Sequence, residues 1–273
     1  MNTEIKNAIQ AADSEAQYDE SAKRLLAQKY VLAHILVRTV EEFQGMEIEK
    51  VVSLIEGDPY ISKIPVASGL TNKDRNEEGK RIVGLNTEAG ERNEGLVRFD
   101  IIFYVRMRNG LAQMIINVEA QKDEPGSYQI LNRAIFYVSR LISSQKERDF
   151  VKSNYNDIKT VYSIWVCMNM PENSMCHIHL TREDLLGKHN WKGNLNLVNI
   201  VMIGLTNALP ESHNEYVLHR LLCAMFSNEL SQQQKMKIME QEYHIPMEQN
   251  FKEEVSITVS YTHLRAHETP EHL

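Results

Sequence analysis

The stretch "FDIIFYVRMRNGLAQMIINVEAQ", residues 99–121, constrains the fold more than any other part of the chain. Two runs of aromatic, aliphatic and β-branched residues flank an Asn-Gly pair, the strongest short-range signal for a two-residue hairpin loop. With Asn109 and Gly110 as that loop, Arg108 faces Leu111 and Asp100 faces Glu119. Period-two alternation sets Phe99, Ile101, Phe103, Val105 and Met107 against Ala112, Met114, Ile116, Val118 and Ala120 as one apolar, core-facing wall. The other face carries Asp100, Glu119 and, one pleat farther, Gln121, and is the expected wet side of the sheet.

Two carboxylates ~4 Å apart repel by about 4 kcal/mol at an effective dielectric of about 20. Stability alone does not favour such a pair. One carboxyl is protonated, or a cation sits between the two, and a hard divalent ion such as Mg²⁺ suits oxygen ligands best. Alternatively the turn carries a bulge, and the acids point apart as solvated strand ends.

The rest of the chain supplies helices and further strands. Leu25, Leu26, Leu32, Ile35, Leu36, Val40 and Phe43 recur at helical spacing and predict one long helix from Ser21 to Gln44-Gly45. A shorter helix is expected over Glu47 to Glu56, stopped by Gly57 and Pro59, followed by a solvated connection, "ASGLTNKDRNEEGKR". The period of "YQILNRAIFYVSRLISSQ" predicts a helix from Tyr128 to Lys146. "TVYSIWVCMNM" and "LNLVNIVMIGL" read as strands covered on both faces, with "HLTREDLLG" a short connection between them that has room for a turn of helix. "NEYVLHRLLCAMFSN" and "SQQQKMKIMEQEYHI" return to helical spacing. The sum is an α/β domain with a mixed sheet.

Composition narrows the function classes. At 42% apolar and 25% charged, 273 residues are ordinary globular material. The polar, acidic start lacks the order of a signal peptide, and no run approaches the ~18 apolar residues of a membrane span. No membrane association is expected. Three cysteines without paired spacing argue for a reducing compartment, so the expected location is cytoplasmic. A formal net charge of −7 excludes a simple electrostatic coat for nucleic acid, and any polyanion needs a local basic stripe or bound cations. "CHIH", Cys176 to His179, has ligand chemistry but no second pair at zinc-site spacing. No phosphate-binding glycine pattern or nucleophile elbow is present.

The expected organisation is an acidic, poorly ordered leader over 1–20, a domain over 21–258 with a helical C-terminal part, and a tail over 259–273. The tail, "VSYTHLRAHETPEHL", ignores the pattern before it and looks like the translation of a sequencing-library adapter. On that reading the native C-terminus is missing, and His263, His267 and His272 form no metal cluster.

Asp100 followed by "EAQ" at Glu119-Ala120-Gln121 resembles the PD-(D/E)XK nuclease superfamily, whose motif is an Asp on one hairpin strand and E-x-K on the next. The likeness is to its Rpn-type recombination-promoting nucleases and putative transposases. It extends through "RTVEEF", "IEGDPYISKIPV", "GLNTE", "EGLVRFDIIFYV", "INVEAQ" and "RAIFYVSRLISSQ".

The resemblance implies a restriction-endonuclease-like core, a mixed central β-sheet with a catalytic hairpin flanked by helices. It implies a transposase- or recombination-associated DNA endonuclease with Mg²⁺ as cofactor, Mn²⁺ substituting, and DNA as partner; a homodimer is a further expectation. Asp100 and Glu119 are then metal ligands, helped by the Ala120 carbonyl and an acid of the first helix, Glu42 or, failing it, Glu41. Gln121 stands where the superfamily has lysine; it can orient a water but supplies no charge. Arg133, Tyr137 and Arg140 share a helical stripe, for which the resemblance implies phosphate and substrate contacts; the bland reading is a surface face with a half-buried tyrosine. Two rival expectations remain: a catalytically weak or inactive nuclease fold that binds DNA or a protein partner, and a nuclease of other polynucleotides, RNA included.

Overall fold

The computed structural model describes residues 20–61, 88–91, 94–98, 101–108, 110–119, 129–146, 150, 152–212, 214–227 and 229–267. The predicted first helix comes in pieces. Residues 20–26 are helical, Gln28 is extended, and α1 (Lys29–Thr39) follows, succeeded by a 3₁₀ turn over Glu41–Phe43. The apolar stripe crosses the break intact: Leu25, Leu26, Leu32, Ile35 and Leu36 are all buried in one cluster, which is why the sequence reads as one helix.

Helix α2 (Ile48–Leu54) gives way directly to strand β1 (Ile55–Ile61), where a helix was expected to run on to Glu56. Gly57 and Pro59 do not end the element. They lie in a β-bulge on an edge strand, with Gly57 at φ 60°, and that is where a strand tolerates them. The other strands are β2 (Glu88–Glu91), β3 (Glu94–Arg98), β4 (Ile101–Met107), β5 (Gly110–Glu119), β6 (Val161–Cys167), β7 (Ser174–His179) and β8 (Val198–Gly204). Helices α3 (Ile130–Ser143), α4 (Val217–Phe226), α5 (Gln232–Gln241) and α6 (Gln249–His267) complete the framework. The backbone of α6 crosses the boundary expected between 258 and 259 without a break.

β2 and β3 form a small antiparallel sheet of their own. The main sheet is mixed, in the order β1-β4-β5-β6-β8-β7: β1, β4 and β5 are mutually antiparallel, β5, β6 and β8 run parallel, and β7 returns antiparallel on the outer edge. Both faces are covered. Tyr162, Ile164 and Val166 of β6 meet α1 and the C-terminal helices, while Val161, Trp165 and Cys167 meet α3. The hairpin shares this two-sided burial. Ile101, Phe103 and Val105 lie in the first cluster as expected, but Ile102 and Tyr104, on the face read as wet, are also buried, and Ile102 packs in the cluster formed with α3.

Candidate active site at the carboxyl ends of the parallel strands

β5, β6 and β8 finish in one row: Glu119 is paired with Cys167, and Cys167 with Gly204. Ligands of such sheets gather outside the carboxyl ends of the strands, so position 119 stands where a site is expected on topology alone. Asp100, Ala120 and Gln121 lie outside the described residues, and of Glu119 the strand position is described.

The hairpin register differs from the one the Asn-Gly signal predicts. Met107 lies opposite Gly110, Arg106 opposite Leu111 and Ile101 opposite Ile116, so each pair is two residues off. Arg108 therefore sits in the reversal and does not face Leu111. Its N–H donates to the Glu42 carboxylate, an acceptor 66 residues away in the chain that no local turn rule can see. Because the offset is even, every residue keeps its face. The ladder that reaches Ile101 does not carry the direct Asp100–Glu119 opposition, since Ile101 meets Ile116 where that opposition would give it Val118.

Glu42 is consequently not a partner of Glu119. It belongs to the 3₁₀ turn after α1 and holds the tip of the hairpin, while Glu119 ends β5 at the other extremity. The 10-residue length of β5 separates them by roughly 30 Å at ~3.3 Å per residue. Glu41 shares that far end: burial raises the Tyr162 hydroxyl's pKa, and the nearby charges of Glu42 and Glu41 add to the effect at the amino end of β6.

Helix α3 connects β5 to the parallel strand β6, so it runs back along the sheet with its first turns near the carboxyl ends. There Arg133 donates from Nε to the Tyr137 hydroxyl at 3.1 Å. Its guanidinium lies 5.1 Å from the Tyr137 ring centroid and 5.6 Å from that of Trp165. Trp165 is fully buried, its Nε1–H donates to Ser163 Oγ at 2.9 Å, and its register partner in β5 is Asn117, two residues before Glu119. Arg133 is thus stacked on a fixed aromatic platform within about two residues' rise, ~7 Å, of the Glu119 row. Arg140 lies farther down α3, roughly 10 Å along the axis and away from that row. Tyr137 is buried between the helix and Trp165, closer to the bland reading of the stripe than to an exposed ligand contact.

Trp165 and Ser163 were not singled out by the sequence reading. The signal was available: period two puts Ser163, Trp165 and Cys167 on one face of β6, and a parallel crossover lays the intervening helix over the sheet.

The donor chemistry of Asp100 and Glu119, two carboxylates, matches a hard divalent cation. Glu42 is removed from that set by its place at the hairpin tip. Among the described residues no three His, Cys, Asp or Glu side chains come together as a metal site. All three cysteines are free thiols, Cys167 and Cys223 buried and Cys176 exposed on β7. No helix among the described residues is long and apolar enough to cross a membrane. A scan of family models finds no match to the chain, and searches of curated proteins and of solved structures likewise find none.

Proposed function

We propose that the chain is a metal-dependent endonuclease that hydrolyses phosphodiester bonds in DNA, built on a restriction-endonuclease-like core. The observation that carries the reading is the position of Glu119: the last residue of the second hairpin strand, at the carboxyl end of a parallel pair, with Arg133 stacked over the neighbouring strand. The order of helix, three antiparallel strands, crossover helix and parallel strand supports the same core.

Asp100 and Glu119, with the Ala120 carbonyl, would hold Mg²⁺ or Mn²⁺. When bound, the cation acidifies a water and neutralises charge developing on the phosphate oxygens. Gln121 orients that water through its amide, and Arg133 meets a phosphate of the strand being cut. Water adds across one phosphodiester bond, leaving a phosphate monoester and an alcohol.

Purified protein with Mg²⁺ or Mn²⁺ is expected to nick supercoiled plasmid, and Asp100→Asn and Glu119→Gln to lower the rate at least 10²-fold. Equal cleavage by wild type and both variants would remove these residues from the site. Gln121 in place of lysine favours a second reading, a nuclease fold that binds DNA with little or no turnover. It predicts a mobility shift in EDTA without cleavage when metal is added. Structured RNA as competitor and substrate separates DNA from other polynucleotides.

A further inference from the structure

The amino end of the parallel strands carries an unusual surface. The connection between β7 and β8, residues 180–197, exposes Leu180, Leu185, Leu186, Trp191 and Leu195, and the adjoining β7 exposes Met175. Leu185 is 89% exposed, Leu186 97% and Trp191 76%, values expected of an unfolded segment rather than of a folded one. Yet this connection is internally tied. Arg182 donates from Nε to Asp184 Oδ1 at 2.8 Å and from Nη2 to the His189 carbonyl at 2.7 Å, clamping the two sides of the Leu185-Leu186 tip. The His189 and Trp191 rings meet edge-on at 4.6 Å. A tip held out in this way is pre-organised for contact and loses little freedom on docking.

The edge strand beside it makes the choice of partner. Among the described residues the main sheet has two open edges, β1 and β7. β1 is blunted by a bulge, a proline and Asp58, the devices that prevent edge-to-edge pairing. β7, "SMCHIH", has no proline, glycine, lysine or acid, and its residues are exposed apart from the half-buried Ile178. We infer that this face is a homodimer interface, in which β7 pairs antiparallel with β7 of a second copy and each Leu185-Leu186 tip packs beside the Met175 end of the other strand.

Antiparallel pairing of a strand with itself is closed by a two-fold axis, so one such edge satisfies one copy and leaves no end open for fibres. The six apolar residues expose roughly 800 Å² per copy, an upper limit to what they can bury that reaches the contribution of each partner to a standard interface. Charge favours a second copy over a polyanion: Arg182 is neutralised by Asp184, and only Lys188 and Lys192 remain against Glu183 on a chain of net charge −7. A DNA backbone or an anionic bilayer gains little from that loop. The inference does not rest on the nuclease reading: the 180–197 connection lies at the opposite end of the strands from Glu119, and β7, whose Ser174 end shares the Glu119 row, is the third strand over from β5.

Sedimentation of the full chain at micromolar concentration tests it. The wild type is expected to run at twice the chain mass. Leu185→Glu with Leu186→Glu, and separately Met175→Lys, each run at the mass of one chain with unchanged far-ultraviolet dichroism. Cys176, the exposed thiol of β7, is expected to join two copies through a bismaleimide in the wild type, with at least a tenfold loss in the double variant. A wild type that sediments as one copy overturns the inference. A dimer that persists in both variants does the same, as does a monomer whose tip variants lose binding to phosphatidylserine vesicles or to DNA.

Discussion

Lys235 is the residue whose burial is hardest to reconcile with its chemistry. It is fully buried, and its ammonium donates to the Met225 carbonyl at 3.1 Å, near the C-terminal end of α4 where carbonyls lack intrahelical partners. Burial pushes its pKa from 10.5 down to about 8. A depressed lysine is protonated in both folded and unfolded chains at pH 7, so folding there carries the full desolvation cost, roughly 3 kcal/mol for a shift of this size. Between pH 8 and 10.5 the unfolded chain binds more protons, and this group's contribution to stability rises with pH. Lys235→Met keeps the apolar stem and loses a hydrogen bond of about 1 kcal/mol. It should therefore gain about 1–2 kcal/mol at pH 7, with the advantage gone by about pH 10.5. Cys223, pushed up to about 11, titrates with the opposite sign and cancels in the difference between the two proteins. Denaturant unfolding at pH 7, 9 and 10.5 reads the effect. Glu42 gives a second residue-scale test. If it holds the hairpin tip, Glu42→Ala costs about 0.5–1.5 kcal/mol of stability and leaves the Mg²⁺ dependence of plasmid nicking unchanged; a tenfold higher Mg²⁺ requirement would return it to the metal site.

At the scale of elements, α3 and β6 act together, because Trp165 supports the arginine and is itself pinned by Ser163. Trp165→Phe removes the indole hydrogen bond and part of the ring volume, an expected loss of about 1–3 kcal/mol in stability. On the proposed nuclease reading its effect on DNA affinity should be a few-fold at every salt concentration, since no charge is removed. If Arg133 meets a DNA phosphate as proposed, Arg133→Ala removes that contact, and the slope of log affinity against log salt should fall by about 1. Anisotropy of a labelled duplex over a salt series distinguishes the two, and identical slopes for Arg133→Ala and wild type would place Arg133 off the DNA. The same elements show what local pattern can carry. α3, β6 and β8 were legible because burial on one or both faces writes its period into the sequence. β7 was not, since an exposed edge strand has no apolar face to reveal it, and β1 was hidden behind Gly57 and Pro59, which stop a helix but not an edge strand with a bulge. The hairpin was recognised and its register missed by two residues, because the Glu42 contact at its tip comes from another part of the chain. Of the site, Glu119's place at a strand end was readable from alternation and the turn signal, whereas the Trp165 platform depends on the crossover that stacks α3 on the sheet.

At the scale of the whole molecule, the two ends of the described chain meet. Arg24, on the helical turn at 20–26, donates to Glu20 at 2.7 Å and to Glu254 of α6 at 2.9 Å, and these two carboxylates hold the guanidinium above its usual pKa. Phe251 and Val255 of α6 are buried in the same cluster as Leu25 and Leu26, and Thr258 is buried with its hydroxyl on the Val255 carbonyl at 2.8 Å. The last of these buried side chains is thus the residue before the stretch that reads as adapter-derived. Removing residues 259–273 should change unfolding free energy by no more than about 0.5 kcal/mol, the range of surface substitutions. Ending the chain at residue 248 instead removes Phe251, Val255 and Glu254, one of the two partners of Arg24. Phe→Ala changes alone cost about 3–5 kcal/mol in a core, a large part of the 5–15 kcal/mol that holds a domain together, so the shorter chain should melt at least 10 °C lower or fail to fold. Thermal unfolding of the three lengths reads the difference directly. If truncation at 258 is as damaging as truncation at 248, the tail makes contacts that the core needs, and the boundary between domain and tail lies beyond residue 258.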